Sequence, residues 1–535
     1  MCKLSRWACV RHGLICTLMP ALLHRYRSML LLIISMLVVI GGMEQAVAQR
    51  KRQPKKKLSA AVASSSAQRK TPRVAATRRR GGRPTVQPSK SKRRTSASSR
   101  RRTRTRTRIR ATRMTMLNVI SDREISPGVR YTEYRSNGGA SVNVHVVIMD
   151  RTVTGNAIRL IKGEDRHDGL ERIGDMVSRY ERETSNNVLA LVNANFWRAY
   201  RSTVIGPCVI DGEIVEMLPY KKWSSAFFDF DQQMLIDTFR ISGALRINGE
   251  ILAVQSVNRR IDSTGICVYN SFAGGTVPHV HDRELEKAFQ EALKDTVFTV
   301  TDSTEEALSK EQLRLEIARA RREADQEFAL TKVRLRYLRA PSVNIPFPCQ
   351  VIDTDTGTVD VPLRGCVVSF PKGVLARLPK PGDTVMMQFK TNVHSDRRFM
   401  NAVCGTPRLV RNGVAEHEAE TEGSTGRRFI THNLARTAIG TDRSGNKLII
   451  AAIEPSVSSD QTMGASLRQV ADVMKLLGAY QAMNLDGGGS TGMVVQNDHV
   501  FFDGTDPMTR RIAVGLGVVK RSHVLRRTPV TGRTN

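Results

Sequence analysis

The positive charge of this 535-residue chain is confined to one segment, and that confinement decides which part of it can fold. Residues 49 to 113 hold 25 Lys and Arg and no Asp or Glu, among Ser, Thr, Ala and Pro with almost no large apolar side chain. Such a stretch cannot bury enough apolar surface to offset the entropy of ordering it, so it is expected to be disordered. Residues 1 to 48 carry five basic groups and one acid, which leaves 53 basic and 49 acidic groups beyond residue 113, a net of +4. The foldable part is therefore nearly neutral, and the overall pI of about 10.5 describes a tail. With its run Arg100-Arg-Arg-Thr-Arg-Thr-Arg-Thr-Arg108 and no aromatic residue, the tail suits anionic polymers or non-specific nucleic-acid contacts through counterion release. A solvated linker is the alternative.

The apolar run Met29 to Gly42 is short for a bilayer span, follows His24, Arg25 and Arg27, and leads to Ala46-Val-Ala48. That pattern is a secretory signal with cleavage expected after Ala48, an uncleaved anchor being the alternative. It places the chain outside the cell or in the periplasm or envelope, with no stable transmembrane helix after cleavage. The cysteines that remain, Cys208, Cys267, Cys349, Cys366 and Cys404, include no Cys-x-x-Cys pair. Neither a zinc ribbon nor a disulfide scaffold is indicated, although one or two disulfides are open.

A folded region is expected over 114 to 520, with 521 to 535 a second basic tail. Val142 to Met149 reads as a buried strand, and Leu170, Ile173, Val177 and Tyr180 follow helical spacing before a strand at Val188 to Val192. Between 204 and 260, apolar runs alternate with Asp211-Gly212 and Asn248-Gly249, which are hairpin turn pairs. Asp282 to Lys294 and Ser303 to Arg339 read as helices. The second opens on Ser303-x-x-Glu306 and presents Leu313, Ile317, Ala320, Ala324 and Phe328 on one face. Strands return after Pro341, and Leu467, Val470, Met474 and Leu477 mark a late helix. The expected class is α+β, with largely antiparallel mixed sheets, packed helices and a charged helical insertion at about 282 to 340.

The chemistry concentrates where that late helix delivers the chain, at Asn484-Leu-Asp-Gly-Gly-Gly-Ser-Thr491. A buried strand closes on Asp486, and three glycines then permit a tight turn with exposed N–H groups. Gly487, Gly488, Gly489 and Ser490, with the Thr491 hydroxyl, could hold an anion beside a carboxylate. Taken alone, such a turn is more often a glycine-rich hairpin. Asn193 and Asn195 end another strand and could bond sugar hydroxyls or a phosphate, or simply form a turn.

Taken together, the motifs resemble the phosphodiester glycosidase family. The resemblance rests on Asn484 to Ser490 preceded by Gly478-Ala479, and on Asn193-Ala-Asn195-Phe-Trp197, Val257-Asn-Arg259, Gly382-Asp383-x-Val385, Arg436-Thr-Ala-Ile-Gly440 and Arg511-Ile-Ala-Val514, all in family order. Two positions depart from the pattern. Glu454-Pro455-Ser456 stands where the family has Asp-Gly-Arg, and Cys404 replaces a small residue before Gly405.

The resemblance implies an exported hydrolase that releases a sugar from a sugar-1-phosphodiester on a phosphorylated glycan or envelope polymer. Because a phosphomonoester leaves as a stabilised anion, such a site needs anion binding and a carboxylate more than a strong acid. Asp486 is then the leading carboxylate, Glu454 the second, and Arg436 the phosphate contact. Asn193, Asn195, Arg259 and His432 join the glycine turn in substrate binding, with His432 able to shuttle a proton. No cofactor is implied and no metal cluster is legible, although Asp486 with a neighbouring carboxylate could take a divalent cation. A secreted protein that binds a glycan or anionic polymer without turning it over is the alternative.

Overall fold

The computed structural model describes residues 113–136, 142–198, 201–278, 298–301, 304–307, 310–454, 456–458, 461–502 and 510–521. The leader, the basic segment up to Thr112, the tail beyond residue 521 and the helix expected at Asp282 to Lys294 lie outside these residues.

Alternation along Asn143–Asp150 shows how the centre is built. Val147 and Met149 enter one core while Val144 and Val146 enter another on the opposite face, which is why the run looks apolar throughout. This strand is third in an antiparallel eight-stranded sheet. The order is Leu117–Ser126, Val129–Ser136, Asn143–Asp150, Lys447–Ile453, Arg436–Thr441, Gln481–Asn484, Arg408–Arg411 and Val414–Ala415. Its first face packs on a five-stranded antiparallel sheet ordered Asp498–Phe502, Gly492–Val495, Asn187–Asn193, Val514–Lys520 and Asn156–Lys162. Met483, Ile439 and Ile450 from one sheet meet Val192, Leu160 and Leu516 from the other.

The outer faces each receive one helix. Leu467–Leu476 begins with a complete capping box between Ser466 and Gln469 and lays Leu467, Val470 and Met474 on the eight-stranded sheet. Ile173–Thr184 covers the five-stranded sheet with Ile173, Met176 and Val177. A third sheet of five strands, Glu213–Glu216, Cys208–Ile210, Phe399–Gly405, Ser224–Asp229 and Met234–Asp237, leads to a closed seven-stranded barrel. The barrel runs Ile241–Ile247, Glu250–Val257, Ile266–Tyr269, Gly365–Phe370, Thr331–Tyr337, Phe347–Asp355 and Thr384–Thr391, and its own apolar core fills it. The hairpin turns form as read, with positive φ at Asp211, Gly212, Asn248 and Gly249. Cys208, Cys267, Cys349, Cys366 and Cys404 are buried free thiols.

The expected α+β class is therefore corrected: the protein is mostly β, with a closed barrel at one end. The error is clearest at Ser303 to Arg339. Within it only Lys310–Phe328 is helical, flanked by the strands Thr304–Ala307 and Thr331–Tyr337. Thr331–Tyr337 alternates inward Val333 and Leu335 with outward polar groups, a period of two that the surrounding charge pattern hides. The helix leaves Phe328, expected on its apolar face, 56% exposed. It is fastened by polar contacts: Arg201 to Glu323 at 3.2 Å, and a buried Arg260–Glu327 pair at 2.6 Å to which the Tyr269 hydroxyl also donates. Among the described residues no helix is long and apolar enough to cross a membrane.

Candidate functional site

The two central sheets are stitched together at one end. Beyond Asn484 the chain leaves its ladder: Leu485 N–H still donates to Thr437 O in its own sheet, but Asp486 N–H donates to Ala194 O in the other, at 2.9 Å. Asn193 completes the seam. Its Nδ2 donates to Asp486 O at 2.7 Å, while its Oδ1 accepts from Thr437 Oγ1 at 2.5 Å and from Gly492 N–H at 3.4 Å. Asn193 is thus a buried structural clasp for the Asp486 backbone. The half-buried Asp486 carboxylate stands where the sheets meet and accepts from Gly487 N–H at 2.9 Å.

The glycine turn is more self-contained than the sequence suggests. Gly488 N–H donates to Ala435 O at 2.9 Å, Ser490 N–H to Gly487 O and Thr491 N–H to Gly488 O. With Gly487 N–H on Asp486, only the Gly489 N–H remains without a partner among the described residues, so a full ring of N–H donors for an anion is not formed. Glycine is required for other reasons. A Cβ on Gly487 would lie 2.9 Å from Ala435 O, and Gly488 has φ +58°.

Arg436 lies directly under this turn, its Cδ 3.7 Å from where a Cβ on Gly487 would be. It is not the open-cleft phosphate clamp that the motif implies. Its guanidinium is buried, donating to Phe429 O at 2.6 Å, His432 O at 3.3 Å and Ala465 O at 3.0 Å, and it stacks on the Phe429 ring. No described carboxylate pairs with it. Burial pushes it down to about 9, so it stays cationic at neutral pH with no counter-charge among the described residues. His432, at the end of Arg427–Thr431, is exposed, with Nδ1 3.4 Å from Thr431 Oγ1.

Asn195, one residue beyond the Ala194 contact, is buried at 2% exposure, and neither its Nδ2 nor its Oδ1 has a hydrogen-bond partner among the described residues. The buried Thr491 Oγ1 is likewise unpartnered, whereas Ser490 is buried in the short 3-10 turn. Buried polar groups are rarely left so, and the exceptions mark strain or a ligand.

Glu454 follows the strand Lys447–Ile453, whose Ile453 pairs with Arg436. One strand separates it from the Asp486 turn, about 10 Å between Cα atoms by strand spacing. Its Oε2 accepts from Asn143 Nδ2 at 2.9 Å and from His145 Nε2 at 3.4 Å, and the His145 hydrogen bond, then Asn143, holds the carboxyl below its usual range. Pro455 lies outside the described residues. Arg259 sits in a polar cluster of its own, 3.6 Å from the buried Glu216 carboxylate, which Arg198 also influences. Sequence reasoning missed His145, Asn143, Thr437 and the fully buried Lys162; a histidine on the buried face of a strand was the one visible signal. Among the described residues no group of three or more His, Cys, Asp or Glu is placed to hold a metal ion.

Comparison with known proteins agrees with the motifs. A bovine N-acetylglucosamine-1-phosphodiester alpha-N-acetylglucosaminidase is 30% identical over 109 residues, so the match spans about a fifth of that relative and 19% of this chain. A crystal structure of a Synechocystis hypothetical protein shares the fold at TM-score 0.50 and 17% identity, covering 76% of this chain and 64% of the other. The catalytic domain of the zebrafish N-acetylglucosamine-1-phosphodiester alpha-N-acetylglucosaminidase, auto-inhibited by its pro-peptide, aligns at TM-score 0.37 and 12% identity over 76% of this chain and 89% of that one. Residues 364–519, which carry Arg436, Glu454 and the Asp486 turn, match the model of the phosphodiester glycosidase family, and the resemblance read from the motifs stands.

Proposed function

We propose that the protein is an exported hydrolase that breaks the bond between a sugar C1 and the oxygen of a phosphodiester, on a phosphorylated glycan or envelope polymer. The observation that carries this reading is one gathering at the seam of the two sheets: the Asp486 carboxylate, with the Asn195 amide unpartnered and Arg436 without a counter-carboxylate among the described residues. Water adds to C1 as the C1–O bond breaks, and the phosphomonoester leaves with the bonding electrons, so the leaving group needs little protonation. Asp486 stabilises the developing positive charge at C1 or takes the proton of the attacking water. Arg436 acts from beneath the turn, as a fixed positive field that favours an anion above it. Asn195 and Thr491 supply hydrogen bonds to the sugar, Gly489 N–H one to the phosphate, and exposed His432 exchanges a proton at the rim. Glu454 is the second carboxylate, and Arg259 an outlying contact for the aglycone.

The leader and the uncompensated basic segment support export and retention on anionic polymers, including non-specific nucleic acid. The test is release of free sugar and phosphomonoester from a panel of synthetic benzyl sugar-1-phosphodiesters by the purified chain. Turnover that vanishes in Asp486→Asn supports the reading. Analogues that raise the melting temperature with no turnover on any sugar would replace it with a binding protein.

A further inference from the structure

The strand register puts a second titratable group behind Glu454. His145 pairs directly with Ala452, and Asn143 O accepts from Glu454 N–H, so Glu454 is the diagonal neighbour of His145 on the same face of the sheet. Ala452 leaves room for the imidazole to lean toward the strand end. The ring is 4% exposed, nearly parallel to the Tyr131 ring, with Nδ1 2.8 Å from Tyr131 Oη and Nε2 3.4 Å from Glu454 Oε2.

Only one neutral arrangement satisfies both contacts. A carboxylate can only accept, so Nε2 carries the hydrogen, Nδ1 is the acceptor, and the Tyr131 hydroxyl donates to it. Burial pushes the Tyr131 phenol up to about 12, so it keeps its proton. Donation therefore runs one way, from Tyr131 through His145 to Glu454. Asn143 Nδ2 adds a second donor to the same oxygen. Oε1 has no partner among the described residues, and the Glu454 side chain is 28% exposed. One oxygen is held twice while the other is left without a described contact.

We propose that His145 is a positioning residue for Glu454, clamping one carboxylate oxygen through a Tyr131–His145–Glu454 donor chain so that the other presents its charge to the site. The inference rests on Glu454 being the second carboxylate of the proposed hydrolase. A hydrogen-bonded, ionised carboxylate suits charge stabilisation or base catalysis and not proton donation, so Glu454 takes whichever of those two roles Asp486 does not. The charged groups around the chain are Glu133, opposite His145 on the neighbouring strand, Arg123 over the Tyr131 ring, and Arg135, which acts on Glu454.

The test has two arms. In the first, the full chain is labelled with glutamate carrying 13C at the side-chain carboxyl, and Glu454→Gln identifies the resonance. His145→Leu should move the Glu454 titration upward, Tyr131→Phe should move it part of the way, and His145→Gln, whose amide can still donate, should largely restore it. In the second arm, turnover of a benzyl sugar-1-phosphodiester should fall about tenfold to a hundredfold in His145→Leu. The acid limb of its pH profile should rise in step with the Glu454 titration. An unmoved titration in both His145→Leu and Tyr131→Phe overturns the proposal, as does an unmoved acid limb despite a moved titration. If His145→Leu does not fold, Tyr131→Phe and His145→Gln carry both arms. Full turnover in Asp486→Asn would defeat the functional reading while the resonance arm still decided the clamp.

Discussion

Asn195→Leu should make the protein more stable and less able to bind its ligand. The Asn195 amide is 2% exposed and has no partner for Nδ2 or Oδ1 among the described residues. A buried amide without compensating hydrogen bonds costs about 1–3 kcal/mol in protein mutational data, and leucine puts methyl groups of similar size in its place. Unfolding entropy scales with chain length, so for a folded unit of roughly 400 residues that gain raises the melting temperature by about 1–4 °C. Differential scanning calorimetry with urea unfolding measures both, and the m-value should be unchanged. Turnover of the sugar-1-phosphodiester, or affinity for its analogue, should fall about tenfold, as for the loss of one or two hydrogen bonds to a sugar hydroxyl. If Asn195→Leu instead destabilises the protein by more than about 1 kcal/mol, the amide is satisfied in the folded protein and the argument from its isolation collapses.

Asp486→Asn keeps the oxygen that accepts from Gly487 N–H and should leave the melting temperature within about 1 °C, while turnover falls by about 10²-fold or more. Arg436→Ala strips the donors from Phe429 O, His432 O and Ala465 O, so it should destabilise by about 1–3 kcal/mol. It should also remove the rise in melting temperature that inorganic phosphate produces in the wild type; an undiminished rise would place the anion elsewhere. Lys162 offers a pH test: it is fully buried, its ammonium donates to Gly169 O, and burial pushes it down to about 8. The unfolded chain binds this proton more tightly, so stability should rise by about 3 kcal/mol as pH climbs from about 8 toward 10.5, with the penalty fully present below 8. Lys162→Met should flatten that dependence in urea midpoints taken at pH 7.5 and pH 10.

Features that depend on a few neighbouring residues were legible. Asp211-Gly212 and Asn248-Gly249 make the hairpins their backbone preferences dictate, and Leu467–Leu476 is the helix that the spacing of Leu467, Val470, Met474 and Leu477 predicts. The Asp486 turn was legible for the same reason, because three glycines after a buried strand leave the chain few alternatives. Thr331–Tyr337 was not. Its alternation of inward Val333 and Leu335 is too short to outweigh the helical charge pattern before it, and only closure of the barrel by Phe347–Asp355 and Gly365–Phe370 makes it a strand. The motif located Arg436 beside the turn but could not say that its guanidinium points inward to three carbonyls.

What the sequence determined by itself is local: where charge forbids a core, where the backbone must turn, and which carboxylate closes a buried strand. Tertiary structure alone decided that Asp486 leaves its own sheet to bond Ala194, that Asn193 is a clasp and Asn195 a buried amide without a partner among the described residues, and that His145 stands behind Glu454. The physical reason is separation along the chain. Asn143 and Glu454 are 311 residues apart, and Asn193 and Asp486 are 293 apart. Contacts of that range follow from the register of strands and the packing of sheets, which no local pattern encodes.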